Sequence, residues 1–300
     1  GEDMGAWMAP AAIDNASVTR SYAASAYYAP ITHCSNLVVL MAAKATCICS
    51  IKSGKSVTVT RVELLLGGQN HSISVRPGAE VILSTSAVKT PQLLELSGIG
   101  DPKILNALGC IEYKVDLPGV GEGMVDQVFF GVSFGKFSTV VSCAPKDRKK
   151  YITFTGDLQF PFSTGSIHAT SKDSGTQPLI DPNYYEQSLT HSSDLQVMVG
   201  ILKLLRKLGN PGGPTVQTNE QIMGAFAEKK KSLFQIWIVL DYIKNHGSTE
   251  YHTIRAAAML PQEKAGVVSP ELKVYRTTNI HIVDLSILPL QISAHPMSTL

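Results

Sequence analysis

Long apolar runs are missing from this 300-residue sequence. No segment offers the roughly 18 uncharged apolar residues that a helix needs to cross a bilayer, and no charged n-region followed by an apolar h-region opens it. No membrane-spanning helix is expected within these residues. An excess of one charge is missing too: 26 basic side chains face 24 acidic ones, for a net +2, which gives no electrostatic reason to expect nucleic acid or an anionic membrane as partner. The run Lys229-Lys230-Lys231 reads as a solvated helix face. Cysteine is scarce, with five residues (Cys34, Cys47, Cys49, Cys110, Cys143) and no CxxC pair, so neither a metal site nor a disulfide framework is expected. Cys47 and Cys49 on a strand would point to one face. There is no internal repeat, no low-complexity tract, and no initiating methionine; a chain that begins at Gly1 is expected to be cut from something longer. Two triplets, Asn15-Ala16-Ser17 and Asn70-His71-Ser72, match the N-glycosylation pattern, which has meaning only in a secreted protein, the compartment they favour.

What is present is enough apolar material for a sizeable core. With 44% apolar and 17% charged residues, the length suits two modest domains or one large one. Between Asn36 and Leu83, β-branched and apolar residues run or alternate at Leu37–Leu40, Ala45–Ile51, Val57–Leu66, Ile73–Val75 and Glu80–Leu83, punctuated by Gly54, Gly67-Gly68 and Pro77-Gly78. That pattern predicts a strand-rich block. Thr90-Pro91 then supplies an N-cap and a first-position proline, and Gly98 and Gly100 close the helix. A short helix is expected over Pro102–Leu108, and strands over Tyr151–Phe154 and Ile167–Ala169. Leu195, Met198, Leu202 and Leu205 keep helical spacing in Asp194–Leu208, which predicts an amphipathic helix packed on a sheet. Further helices are expected over Asn219–Lys230 and Leu233–Lys244, and a buried strand at Ile280–Val283 ending on Asp284.

Ser84 to Gly100 reads STSAVKTPQLLELSGIG. It is a strand delivered through small residues onto a helix N-terminus, whose free N–H groups and dipole suit an anion or the polar edge of a cofactor. The segment closely resembles the second signature of the glucose-methanol-choline (GMC) flavoproteins, and its TPQLLxLSGIG core is specific to them. Leu117-Pro118-Gly119-Val120-Gly121-Glu122 resembles that family's LPGVGENLQDH, and Gly266-Val267-Val268, Leu272-Lys273-Val274 and Val283 to Pro289 resemble its C-terminal flavin-contacting block. Arg20 to Ala24 and Asn36 to Val39 look like family segments ahead of the second signature. The glycines at 119, 121 and 123 lack the spacing of a dinucleotide fingerprint and read as a turn.

The resemblance implies an α/β (mixed α+β) fold: a partial FAD-binding domain over residues 1–125, a shortened substrate domain of antiparallel sheet plus helices over 126–245, and a return to the FAD domain over 246–300. It implies FAD as cofactor and a small-molecule alcohol as substrate, oxidised to a carbonyl with hydride passing to flavin N5. His252, before Ala258-Met259-Leu260, resembles the first family histidine, and His295 the second; in the family this pair faces the flavin and one takes the hydroxyl proton, work suited to an imidazole. Asp284, at a strand's carboxyl end, is implied to lie near the ribityl-phosphate region, Ala45 near the adenine, and Pro296 and Met297 beside the flavin. The other six histidines, His168 among them, are read as structural or surface residues.

Several family features are missing. No βαβ unit with the glycine fingerprint that grips the FAD pyrophosphate occurs here. Only 24 residues separate Asp126 from Tyr151, where the family has a much longer stretch, and the chain stops at Leu300 where the family continues into a helix. ENLQDH reads Glu122-Gly123-Met124-Val125-Asp126-Gln127, and the glycine expected three residues after the first histidine is Arg255. The expectation is an FAD-dependent alcohol oxidoreductase scaffold that is inactive as these 300 residues. The competing readings are a non-enzymatic remnant or interaction protein and a non-redox cyclase or lyase.

Overall fold

The computed structural model describes residues 12–109, 112–135, 151–185, 193–209, 233–292 and 296. A small hairpin of β1 (Ile13–Asp14) and β2 (Thr19–Arg20) comes first. The strand-rich block follows as β3 (Lys44–Ser53), β4 (Ser56–Leu66) and β5 (Gln69–Ser74), an antiparallel sheet in that order. Its turns fall at Gly54 and at Gly67-Gly68, all with positive φ, as the glycine punctuation predicts. Cys47 and Cys49 do share a face, with their sulfurs 3.9 Å apart, and burial followed by the neighbouring Cys49 pushes the Cys47 thiol up to about 11.

Strand β6 (Val81–Leu83) feeds helix α1 (Ser86–Leu96), after which β7 (Ile99–Gly100), α2 (Pro102–Ala107) and β8 (Val115–Asp116) complete the first half. Strands β9 (Glu122–Met124), β10 (Val128–Gly135), β11 (Tyr151–Leu158), β12 (Gly165–His168) and β13 (Leu179–Asp181) come next. Helices α3 (Ser193–Gly209) and α4 (Leu233–His246), then β14 (Ser248–Thr249) and β15 (Ile280–Ile282), finish the described chain. The result is a mixed α/β structure in which antiparallel sheets predominate and β6–β15 and β7–β8 pair in parallel.

Two expectations are corrected. Leu37–Leu40 forms no strand: all four side chains stand 40–78% exposed, and a strand without a neighbour leaves its backbone groups unpaired. Helix α1 starts at Ser86 rather than after Thr90, so Pro91 lies inside it. Proline there gives up one backbone bond, which burial of every residue from Thr90 to Leu96 offsets. The expected helix over Asn219–Lys230, with Lys229-Lys230-Lys231, lies outside the described residues.

Two large cores, together with a small cluster of Met124, Ile167 and Ala256, hold the described elements. One joins Ile48, Val57, Leu83, Leu94, Ile99 and Val120 to Ala257, Val268, Val274, Ile280 and Ile282. The other gathers Val128, Phe130, Val132 and Leu158 under Leu195, Met198, Leu202 and Leu205 of α3 and Leu240 and Ile243 of α4. Helix α3 thus packs on the β10–β11 sheet by the stripe its spacing predicts. Close approach is possible because β11 carries Gly156: a Cβ there would stand 2.1 Å from Ile201.

Candidate active site

Strands β6 and β15 pair in register, Val81 to Ile280 through Leu83 to Ile282, so both carboxyl ends open at one level. There the Ser84 hydroxyl donates to the Val283 carbonyl at 2.8 Å, and the chain turns into α1 on one side and Asp284 on the other. Asp284 Oδ1 accepts from the Ser286 amide (2.9 Å) and hydroxyl (2.6 Å), capping the short turn Leu285–Ile287. Its Oδ2 accepts from the Thr90 hydroxyl at 2.6 Å. Because Thr90 spends its proton on the carboxylate, the Thr85 hydroxyl, 2.7 Å away, must be the donor to Thr90.

The two ends of this chain line different cavities, Asp284 a larger one and Thr85 a smaller one. The larger, about 960 Å³, is lined by Ser84, Ser86, Ala87 and Val88, by Val283, Asp284 and Leu285, and by Asp126, Tyr184, Tyr251 and Thr253. The smaller, about 370 Å³, is lined by Lys44, Ala45, Thr85, Lys89 and Gln92. Helix α1 opens onto the larger cavity with no acidic residue in its first turn and no side-chain cap from Thr85, which leaves N–H groups for an anion. Lys89 donates to Gln92 Oε1 at 2.8 Å, and burial, then the nearby Lys44, lowers its pKa. Asp126 is 4% exposed; one of its oxygens accepts from the Tyr184 hydroxyl and the other, Oδ1, is a buried acceptor with no partner among the described residues. The helix end at the larger cavity suits an anion, Asp126 Oδ1 suits a hydrogen-bond donor, and Lys44 and Lys89 line the smaller cavity, a set that fits an elongated group with phosphate, hydroxyl and apolar parts.

His252 sits between the cavity-lining residues Tyr251 and Thr253, its side chain 16% exposed. Its Nδ1 lies 2.6 Å from Gln127 Oε1 and 3.3 Å from Glu250 Oε2, and Gln291 Nε2 donates to its carbonyl at 2.9 Å. Burial, followed by a hydrogen bond and charge from Asp157 and by the charge of Asp126, raises Glu250 to about 7. Burial and the Asp126 carboxyl push the Tyr184 hydroxyl well up, and burial with the Asp194 charge takes Tyr185 to about 12.

Of the residues singled out in the sequence, Asp284 lines the larger cavity and Ala45 the smaller, and His252 adjoins the larger through its neighbours. Pro296 is buried, while His295 and Met297 lie outside the described residues. Sequence reading missed Gln127 as a partner of His252, noting it only as a lost histidine, and it missed Glu250, Asp157 and Tyr184. Glu250 carried a usable signal, since it stands two residues before His252; the other contacts are long-range. Gly119 and Gly121 lie in the expected turn, and a Cβ on Gly119 would meet the Ala265 carbonyl at 1.9 Å.

Family models of the GMC oxidoreductases match residues 8–129 and 161–300. The GMC oxidoreductase family protein Mala s 12 of Malassezia sympodialis is 31% identical across 98% of this chain and 59% of its own length. Choline oxidase of Arthrobacter globiformis is 26% identical across 94% of this chain and 57% of its own. Among solved structures, an FAD-dependent oxidoreductase from Chaetomium thermophilum superposes with a TM-score of 0.76 at 20% identity, over 96% of this chain and 63% of that one. The chain thus spans about three fifths of the length of these proteins. The Mala s 12 alignment runs over 386 positions while 98% of this chain is about 294 residues, so the relative has about 90 residues there without a counterpart. The chain belongs to the GMC oxidoreductase family, for which FAD is the implied cofactor.

Proposed function

We propose that these residues form the substrate-facing part of an FAD-dependent oxidoreductase acting on CH–OH donors. The supporting observation is the cavity at the carboxyl ends of β6 and β15, bounded by α1 and Asp284 and bordered by His252. FAD, when bound, supplies the acceptor for the hydride leaving the alcohol carbon. His252 and His295 share the tasks of taking the hydroxyl proton and hydrogen-bonding the oxygen as the carbonyl forms. Asp284 and the α1 N-terminus would hold the ribityl-phosphate region, Ala45 the adenine, and Pro296 and Met297 the flavin edge. Residues 1–125 and 246–300 make the FAD domain and 126–245 the substrate domain; the core running from Val128 to Ile243 supports this division, while Ile167 packs with Met124 and Ala256 across it.

The same 300 residues contain no glycine fingerprint for the pyrophosphate, and on their own they turn over no alcohol. An absorbance titration of the folded chain with FAD, followed by anaerobic addition of aromatic or sugar alcohols, tests both statements. The expected result is weak or no flavin binding and no bleaching; tight binding with bleaching would overturn the inactivity.

A second reading, as a chain that works by pairing with another, is favoured by the exposed apolar side chains Tyr27 (76%), Val38 (78%), Met41 (77%) and Leu290 (75%). Sedimentation velocity across a concentration series checks it, and a strictly monomeric chain would count against it. Nothing in the geometry favours a cyclase or lyase.

A further inference from the structure

Gln127 is 1% exposed and its amide is held from both ends. Its Nε2 lies 3.1 Å from the Ile292 carbonyl and 3.4 Å from the Gln159 carbonyl, and its Oε1 lies 2.6 Å from His252 Nδ1. Turning the amide over would place its oxygen against two carbonyl oxygens and its NH₂ against the imidazole, so the two carbonyls fix which end faces His252. An amide oxygen only accepts, so the ring nitrogen facing it must carry the proton. Glu250 Oε2, 3.3 Å from the same nitrogen, is a second acceptor on that side. The neutral ring is therefore held with hydrogen on Nδ1, which leaves the proton-accepting lone pair on Nε2.

We infer that Gln127 is a positioning residue: its amide, oriented by the carbonyls of Gln159 and Ile292, holds His252 as the Nδ1–H tautomer so that Nε2 is the nitrogen able to take the alcohol proton. The inference rests on the reading of His252 as a base. It also gives a task to a residue that, in sequence, registered only as a departure from the family's terminal histidine. Free imidazole side chains favour the opposite tautomer, so the state is set by the protein. Glu250 reinforces it, and behind Glu250 stand Asp157 and Asp126.

The tautomer is readable without cofactor or turnover. Long-range proton–nitrogen correlation on the uniformly nitrogen-15-labelled chain, at a pH where the imidazole is neutral, reports which ring nitrogen lacks a proton; His252→Gln assigns the signal. Wild type is expected to show Nε2 as the downfield, unprotonated nitrogen. Gln127→Met, close in volume and without a strong acceptor, should move the signal toward the Nε2–H form, whereas Gln127→Glu, which keeps an acceptor, should retain the wild-type pattern. A wild-type Nε2–H form overturns the inference, as does an unchanged pattern in folded Gln127→Met. Should Gln127→Met fail to fold, wild type and Gln127→Glu decide. The flavin titration reports separately: tight flavin binding with bleaching would overturn the inactivity proposed above, while the role of Gln127 is decided by the nitrogen pattern alone.

Discussion

The Arg255 side chain lies against Gly123, such that a Cβ built on the glycine would sit 3.6 Å from the guanidinium Nε. The two positions differ from the family together: Arg255 stands where glycine is expected and Gly123 where asparagine is. Both have positive φ, +74° at Arg255 and +70° at Gly123, conformations that glycine and, to a lesser degree, asparagine accept. Size has moved from one side of the contact to the other. We expect Gly123→Asn to destabilise the native chain by about 1–2 kcal/mol, because its amide must displace the guanidinium, and to be near neutral in an Arg255→Gly background. Urea unfolding of the four members of the cycle measures the coupling. Equal costs in both backgrounds would show that the residues do not compensate.

Thr90 offers a test of the hydroxyl chain beside the cavities. Thr90→Val removes the donor to Asp284 and the acceptor for Thr85 at a position with no solvent access. A loss of about 2–3 kcal/mol is expected, with Thr90→Ser within about 1 kcal/mol of wild type. Denaturant midpoints check this, and equal losses for the two variants would assign the cost to packing.

His168 clasps α1 to strand β12. Its Nδ1 meets Glu95 Oε1 at 2.7 Å, Glu95 Oε2 accepts from the Ala169 amide at 2.7 Å, and the Glu95 side chain is 0% exposed. The hydrogen bond to Glu95 raises the His168 pKa above its ordinary value despite burial. A group raised in the folded state stabilises fully below its unfolded pKa, near 6.5, and loses that contribution as pH rises through the folded value. Stability should therefore decline on the alkaline side, and His168→Gln should flatten the decline. Replacing the ring by leucine, which strands a buried carboxylate, should cost about 3 kcal/mol. Unfolding free energies across pH decide; a slope unchanged in His168→Gln would rule the clasp out as its source.

Glu250 acts in an adjoining window. Its carboxyl is raised from 4.5 to about 7, so the stabilisation present at pH below 4.5 diminishes as the group ionises and is gone above about 7. Glu250→Gln should gain on wild type at pH 8, by about 2 kcal/mol, and lose that advantage by pH 5. Thermal unfolding at the two pH values measures it, and a constant difference would show that the carboxyl does not titrate there.

The legible parts of this fold were those set by local periodicity and by a specific motif. The α3 stripe needed only its own spacing, and the hairpin turns needed only glycine. Leu37–Leu40 was misread because an apolar run states strand propensity without naming a neighbour. Helix α1 was placed five residues late because Thr90-Pro91 is a strong local start signal and the burial that overrides it is tertiary. At the site, the motif located His252 and Asp284 but not their contacts. Gln127 lies 125 residues from His252 in sequence, and Asp157 reaches Glu250 only through the β11–β10–β14 sheet, so no spacing rule reaches them.

The two cores make different demands on synthesis. Every buried member of the α3 and α4 core lies between Val128 and Ile243, so that unit is complete before the chain has emerged. The other core needs Ala257 to Ile282 to meet Ile48 to Val120. At about 5–20 residues per second, its earlier half waits roughly 10–30 s for its later half. Throughout that interval the strands around Val57 and Leu83 have no lid, and their apolar side chains stay open to water.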